Sequence, residues 1–88
     1  MQRQEFTDTL ALEGFETLVT VTREPHGSMD EHTHAFEAKA LVLKGALTIT
    51  AAGVEQAYAV GEVFHLPAML PHSERYGPLG VEYLVGRK

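Results

Sequence analysis

Two histidines one residue apart, His32 and His34 in the stretch DEHTHAFEAKALVLKG, carry the first chemical signal in this chain. In an extended segment successive side chains point to opposite faces, so positions i and i+2 share a face and their imidazoles converge on one point. That is metal-ligand geometry if a third ligand arrives from elsewhere. Cysteine is absent, so thiolates are unavailable and any ion must be held by histidine and carboxylate. A His-x-His tripeptide also suits a solvated turn beside Asp30 and Glu31, and short motifs match often by chance. The remaining histidines read differently. His26 lies in the Pro25-His26-Gly27 turn and is expected in solvent. His65, between Phe64 and Leu66, reads as a strand histidine lining either a cavity mouth or the outer face.

The elements that must position these residues are short strands separated by turns. Phe15–Thr22, FETLVTVT, is rich in β-branched residues and bounded by Gly14 and the Pro25–Gly27 turn. KALVLKG runs through Gly45 into ALTIT, which predicts a hairpin turning at Lys44-Gly45. Ala52-Gly53 supplies another turn, and VEQAYAV then alternates Val54, Gln56, Tyr58 and Val60 against Glu55, Ala57 and Ala59. EVFHLP ends at Pro67, which cannot donate to a ladder. The tail GVEYLVG puts Val81, Tyr83 and Val85 on one face. Nowhere do apolar residues hold a 3.6-residue period over three turns, so helix is expected to be nearly absent. Phe6–Leu12 or Phe15–Thr22 then reads as an exposed edge strand. About seven or eight strands at roughly 8–12-residue spacing predict an all-β fold, a small antiparallel barrel or sandwich able to hold one metal or one small ligand. Residues 1–88 read as a single domain.

Composition narrows the function classes. A chain of 88 residues with 44% hydrophobic content has a thin core, so a homodimer that adds burial is expected. Seven Lys and Arg stand against twelve Asp and Glu, a balance that repels phosphate backbones and argues against nucleic acid as a partner. The start MQRQEFTDTL has no apolar signal region, and no apolar run approaches the roughly 20 residues needed to span a bilayer. A soluble cytoplasmic protein is the expectation.

A second segment, GEVFHLPAMLPHSERY from Gly61 to Tyr76, combines with the first into a pattern of joint spacing. Gly27, His32, His34 and Gly45, followed by Gly61, Pro67 and His72, resemble the paired motifs of the cupin superfamily, and in particular its small single-domain, conserved-barrel members. The resemblance implies a jelly-roll-like double-stranded β-helix. It also implies a divalent transition metal (Fe, Mn, Ni, Cu or Zn) held by His32, His34 and His72. Three positions depart from the family pattern: Ala38 stands where cupins usually carry a glutamate ligand, Met69 replaces a glycine, and Tyr76 replaces an asparagine. Position 38 shares the parity of the histidines and should face inward. Glu37, next door, should face away unless a bulge turns it.

Loss of that glutamate leaves the ion its full charge, which favours anionic ligands, and Ala35, Ala38 and Ala40 leave room beside it. The resemblance implies an oxygenase-type enzyme acting on a small molecule. A non-catalytic small-molecule sensor is the alternative, and a metal-free barrel with relic histidines is a third reading. Acid–base candidates are Tyr58, Tyr76, Tyr83, His65 and Glu37.

Overall fold

The computed structural model describes residues 1–88 and contains one short helix and six strands: α1 Arg3–Leu12, β1 Thr17–Arg23, β2 Ser28–His32, β3 Ala38–Ala51, β4 Val54–Ala59, β5 Val63–Leu66 and β6 His72–Arg87. All strand pairings are antiparallel, as expected. Two long strands organise the fold. β3 and β6 pair along most of their lengths, Ala38 opposite Arg87 at one end and Ala51 opposite His72 at the other. Short strands then flank each half of this ribbon. β1 and β5 extend the half containing Ala38–Leu41 and Val81–Arg87, whereas β2 and β4 extend the half containing Ala46–Ala51 and His72–Arg75.

The ribbon folds over at Gly45, so the Lys44-Gly45 turn predicted from sequence is a corner within one continuous strand. Gly45 sits at φ 70° opposite Val81, and a Cβ there would lie 2.0 Å from the carbonyl oxygen of Gly80. Only glycine permits that approach. On β6 the segment Gly77-Pro78-Leu79-Gly80 bulges out between Tyr76, paired with Leu47, and Val81, paired with Gly45. The predicted Ala52-Gly53 turn is present, both residues taking positive φ between β3 and β4.

Folding the ribbon brings the two halves face to face. Ala38, Ala40, Val42, Val81, Tyr83 and Val85 from one half meet Leu47, Ile49 and Tyr76 from the other in a single buried cluster with Phe64 and Leu66. Val81, Tyr83 and Val85 share one face, as predicted, and that face is the inward one. β4 differs from its prediction: Val54 and Val60 are exposed, and only Tyr58 packs against the core.

Phe6–Leu12 is the larger correction, because it lies within helix α1 and is not an edge strand. Phe6 and Leu10, one turn apart, are fully buried with Phe15, Leu41 and Leu84 on the outer face of β3 and β6. Two inward residues in ten cannot generate a periodic signal over three turns, which is why pattern reading overlooks this helix. Gly14, at φ 85° just beyond the C-cap Glu13, was the available stop signal. α1 is too short and polar to cross a membrane, as no helix here is long and apolar enough to do so.

Candidate metal centre

His32 ends β2, His34 lies two residues on in the connection to β3, and His72 opens β6. The β2–β6 ladder pairs His32 directly with His72. The i, i+2 spacing then brings His34 onto the same side. One ring nitrogen from each histidine lies within 4.8 Å of the others, and the ring centroids are 4.3–5.0 Å apart. The structure thus assembles the three histidines singled out by sequence into a group that could hold a metal.

Backbone carbonyls set the orientation of two of these rings. His32 Nδ1 lies 2.7 Å from the Asp30 carbonyl oxygen, and His72 Nδ1 lies 2.9 Å from that of Leu70. A carbonyl only accepts, so Nδ1 carries the proton in each ring and donates it. The Nε2 lone pair of the neutral imidazole is left to point inward. Both Nε2 atoms are buried without a hydrogen-bond partner. Buried polar atoms are normally satisfied, and two lone pairs converging unsatisfied fit a shared cation. Metal-binding histidines typically show this arrangement, with one nitrogen donating to an acceptor and the other free to ligate.

His34 is held differently. Its ring stacks on Phe36 at 4.8 Å, and its backbone carbonyl accepts from the Met69 amide at 2.7 Å. Met69 has φ 63°, a left-handed conformation that favours glycine, which explains the glycine expected there. Burial, followed by the neighbouring His72 and His32, pushes the His34 pKa below its ordinary 6.5. That shift keeps its lone pair available at neutral pH.

Glu74 is the residue that sequence reading missed. It is 7% exposed, and its Oε2 lies 3.6 Å from both His32 Nε2 and His72 Nε2. The Tyr76 hydroxyl donates to its Oε1 at 3.2 Å. The signal was present in His72-Ser73-Glu74, which repeats the i, i+2 parity of His32-Thr33-His34.

The other candidates divide between the two faces of the sheet. Ala38 is buried and faces inward, as its parity predicts, while Ala40 lies in the core and Ala35 is exposed. Glu37 points away from the histidines to pair with His65 at 2.5 Å, so both lie on the outside. That contact holds the Glu37 carboxyl below its ordinary value. His26 is exposed in its turn at φ 58°. Tyr58 is half-buried 5.5 Å from Phe64. Burial, reinforced by Glu74, raises the Tyr76 phenol and pushes Tyr83 up to about 12, so both stay protonated at neutral pH.

A cavity of about 100 Å³ opens beside the histidines, lined by His34, Glu74 and Ala38, by Phe36, Phe64, Leu66 and Val85, and by Arg23 and Arg87. Neither arginine joins an ion pair. The Arg87 guanidinium lies over Phe36 at 4.9 Å, and its buried Nε has no partner. A wider depression of about 500 Å³ around His26 shares no residue with this cavity.

The fold and site together define a small jelly-roll barrel with a histidine cluster near one cavity. The chain belongs to the cupin family, whose cupin-domain model matches residues 19–76. Its fold is similar to an RmlC-like cupin from Shewanella frigidimarina, with TM-score 0.70 and 18% identity over 81% of this chain and 63% of that one. Oxalate decarboxylase of Bacillus subtilis is similar over 81% of this chain, with TM-score 0.74 and 21% identity, although this chain spans only 20% of its length. The structure of Drosophila melanogaster CENP-C bound to CAL1 gives TM-score 0.70 and 16% identity over 81% of this chain and 60% of that one. No curated protein sequence matches the chain.

Proposed function

We propose that this chain is a metal-dependent cupin of oxygenase type acting on a small organic anion, with one divalent ion (Fe, Mn, Ni, Cu or Zn) held by His32, His34 and His72. The observation that carries this reading is the pair of buried, unpartnered Nε2 atoms on His32 and His72, each ring fixed by its own Nδ1. Mn(II) centres in the Bacillus oxalate decarboxylase are in keeping with a divalent metal on this fold. Bound there, the ion supplies Lewis-acid polarisation or an open position for oxygen chemistry.

The rest of the task falls to the chain. Arg23 and Arg87, unpaired in a protein of net charge −5, attract an anion into the cavity and orient it by charge-assisted hydrogen bonds. Phe36, Phe64, Leu66 and Val85 exclude water from its apolar portion. A volume near 100 Å³ suits a carboxylate of a few heavy atoms. The Tyr76 hydroxyl fixes one oxygen of Glu74 and leaves the other facing the histidines.

A non-catalytic small-molecule sensor is the second reading, favoured by the outward placement of His65 and Glu37, which takes two acid–base candidates away from the cavity. We further place the protein in the cytoplasm as a single-domain homodimer.

Elemental analysis of protein purified without a metal-affinity tag tests the central claim. About one divalent ion per chain is expected, and His32→Ala, His34→Ala or His72→Ala should each lose it, as when one of three anchors goes. His26→Ala should retain it. Full metal content in the His72 variant would remove the reading. Oxygen consumption with short carboxylates then separates enzyme from sensor, since the sensor would bind them without turnover.

A further inference from the structure

We infer that Glu74 is the fourth protein ligand of this metal centre, a carboxylate supplied by β6 at the cavity that Ala38 also lines. The inference rests on the three-histidine reading above and adds a donor to it.

Glu74 Oε2, His32 Nε2 and His72 Nε2 face one another in a buried space, with both oxygen–nitrogen separations at 3.6 Å. In the neutral rings, whose Nδ1 protons are donated to carbonyls, all three atoms bear lone pairs. A proton on one Nε2 would satisfy one pair at most, and 3.6 Å is beyond hydrogen-bond distance. A single multivalent cation between them satisfies all three at once.

The spacing agrees with that role. Donors about 2.0–2.2 Å from a shared ion stand about 3.0 Å apart in octahedral coordination and about 3.4 Å apart in tetrahedral coordination. Two equal contacts of 3.6 Å from one oxygen to two imidazoles need only a slight contraction to match. Tyr76 contributes the remaining restraint. By donating to Oε1 it occupies one carboxylate oxygen and directs the other inward, as outer-shell partners of ligating carboxylates do. The local sequence explains the placement, since His72 and Glu74 are i and i+2 on one strand and reach the same side of the sheet.

Ala38 makes the inference testable. It lines the same cavity as Glu74 and His34 and presents only a methyl group. A carboxylate lost at 74 can therefore be returned to the cavity from 38.

The experiment titrates Zn(II) and Co(II) into metal-free wild type, Glu74→Gln, Glu74→His and the double variant Glu74→Gln/Ala38→Glu, with a thermal melt of each. If Glu74 ligates, Glu74→Gln weakens Zn(II) at least tenfold and alters the Co(II) visible spectrum. Glu74→His, which offers a nitrogen donor from the same position, and the double variant both recover most of the lost affinity. Should Glu74→Gln be too unstable to measure, the Glu74→His variant decides by itself: retained tight binding with a nitrogen-shifted Co(II) spectrum supports ligation, and an unchanged spectrum overturns it. Equal Zn(II) affinity and an identical Co(II) spectrum in wild type and Glu74→Gln would sink the Glu74 assignment and leave the three-histidine site standing. Absence of binding by wild type would overturn both.

Discussion

At the scale of single residues, the histidine cluster ties metal binding and stability to pH through one group in particular. The folded-state pKa of His34 lies below its ordinary 6.5 because burial and the neighbouring rings disfavour its cation. The unfolded chain therefore binds more protons than the native one as pH falls below about 6.5, and stability decreases in that direction. Metal-free protein is expected to melt progressively lower from pH 7 to pH 5, and His34→Gln should flatten that slope. A melting temperature independent of pH across this window would contradict the placement of His34. Metal binding should weaken over the same range, since ligation requires the neutral ring. The His-x-His parity and the inward direction of position 38 were legible in the sequence because strand alternation is a local property. The partnership of Glu37 with His65 was not, because it joins residues 28 positions apart through strand pairing alone.

Elements carry the next set of consequences. Helix α1 covers the outer face of β3 and β6, and it sits close to β6 at Gly86, where a Cβ would come within 2.8 Å of Leu10 Cδ1. Leu10→Ala empties a fully buried position and should cost about 2–5 kcal/mol in urea unfolding. Gly86→Val should cost about 1–3 kcal/mol by overpacking the same contact. If both variants unfold like wild type, α1 does not pack on the sheet in solution. The corner at Gly45 is similarly tight, and Gly45→Ala forces a side chain onto the Gly80 carbonyl. Sequence located Gly45 as a turn, yet nothing local distinguishes a hairpin turn from a corner in a strand whose partner is the distant β6.

For the whole molecule, the thin barrel leaves β1 with one edge unpaired, since its ladder is to β6 alone. Exposed edges are usually protected, and pairing between copies is one way to do it. Sedimentation at micromolar concentration should give a species of twice the 9.7 kDa chain mass, and a monomer would count against β1 as the pairing edge. Leu18, 47% exposed on β1, gives a site for perturbation, and Leu18→Lys should shift the dimer toward monomer. Ligand linkage adds a second whole-molecule expectation. Metal at about 100 times its dissociation constant should raise unfolding free energy by about 2.7 kcal/mol, removable with a chelator. No change in the melt on adding chelator to metal-loaded protein would show that the ion is not bound to the folded state.

The sequence by itself determined the strand-and-turn character, the absence of thiolate chemistry, and the spacing that joins His32, His34 and His72, because alternation, composition and motif length are written along the chain. Tertiary structure alone decided that Lys44-Gly45 is a corner, that α1 is a helix, and that Glu74 faces the histidines while Glu37 and His65 turn outward. Those outcomes depend on which strand lies beside which. The β2–β6 and β3–β6 ladders join residues about 20 to 50 positions apart, and a two-residue periodicity specifies a face without specifying a neighbour. His72-Ser73-Glu74 stands at the boundary between the two: its parity was visible in the chain, and its meaning came only when β2 was laid against β6.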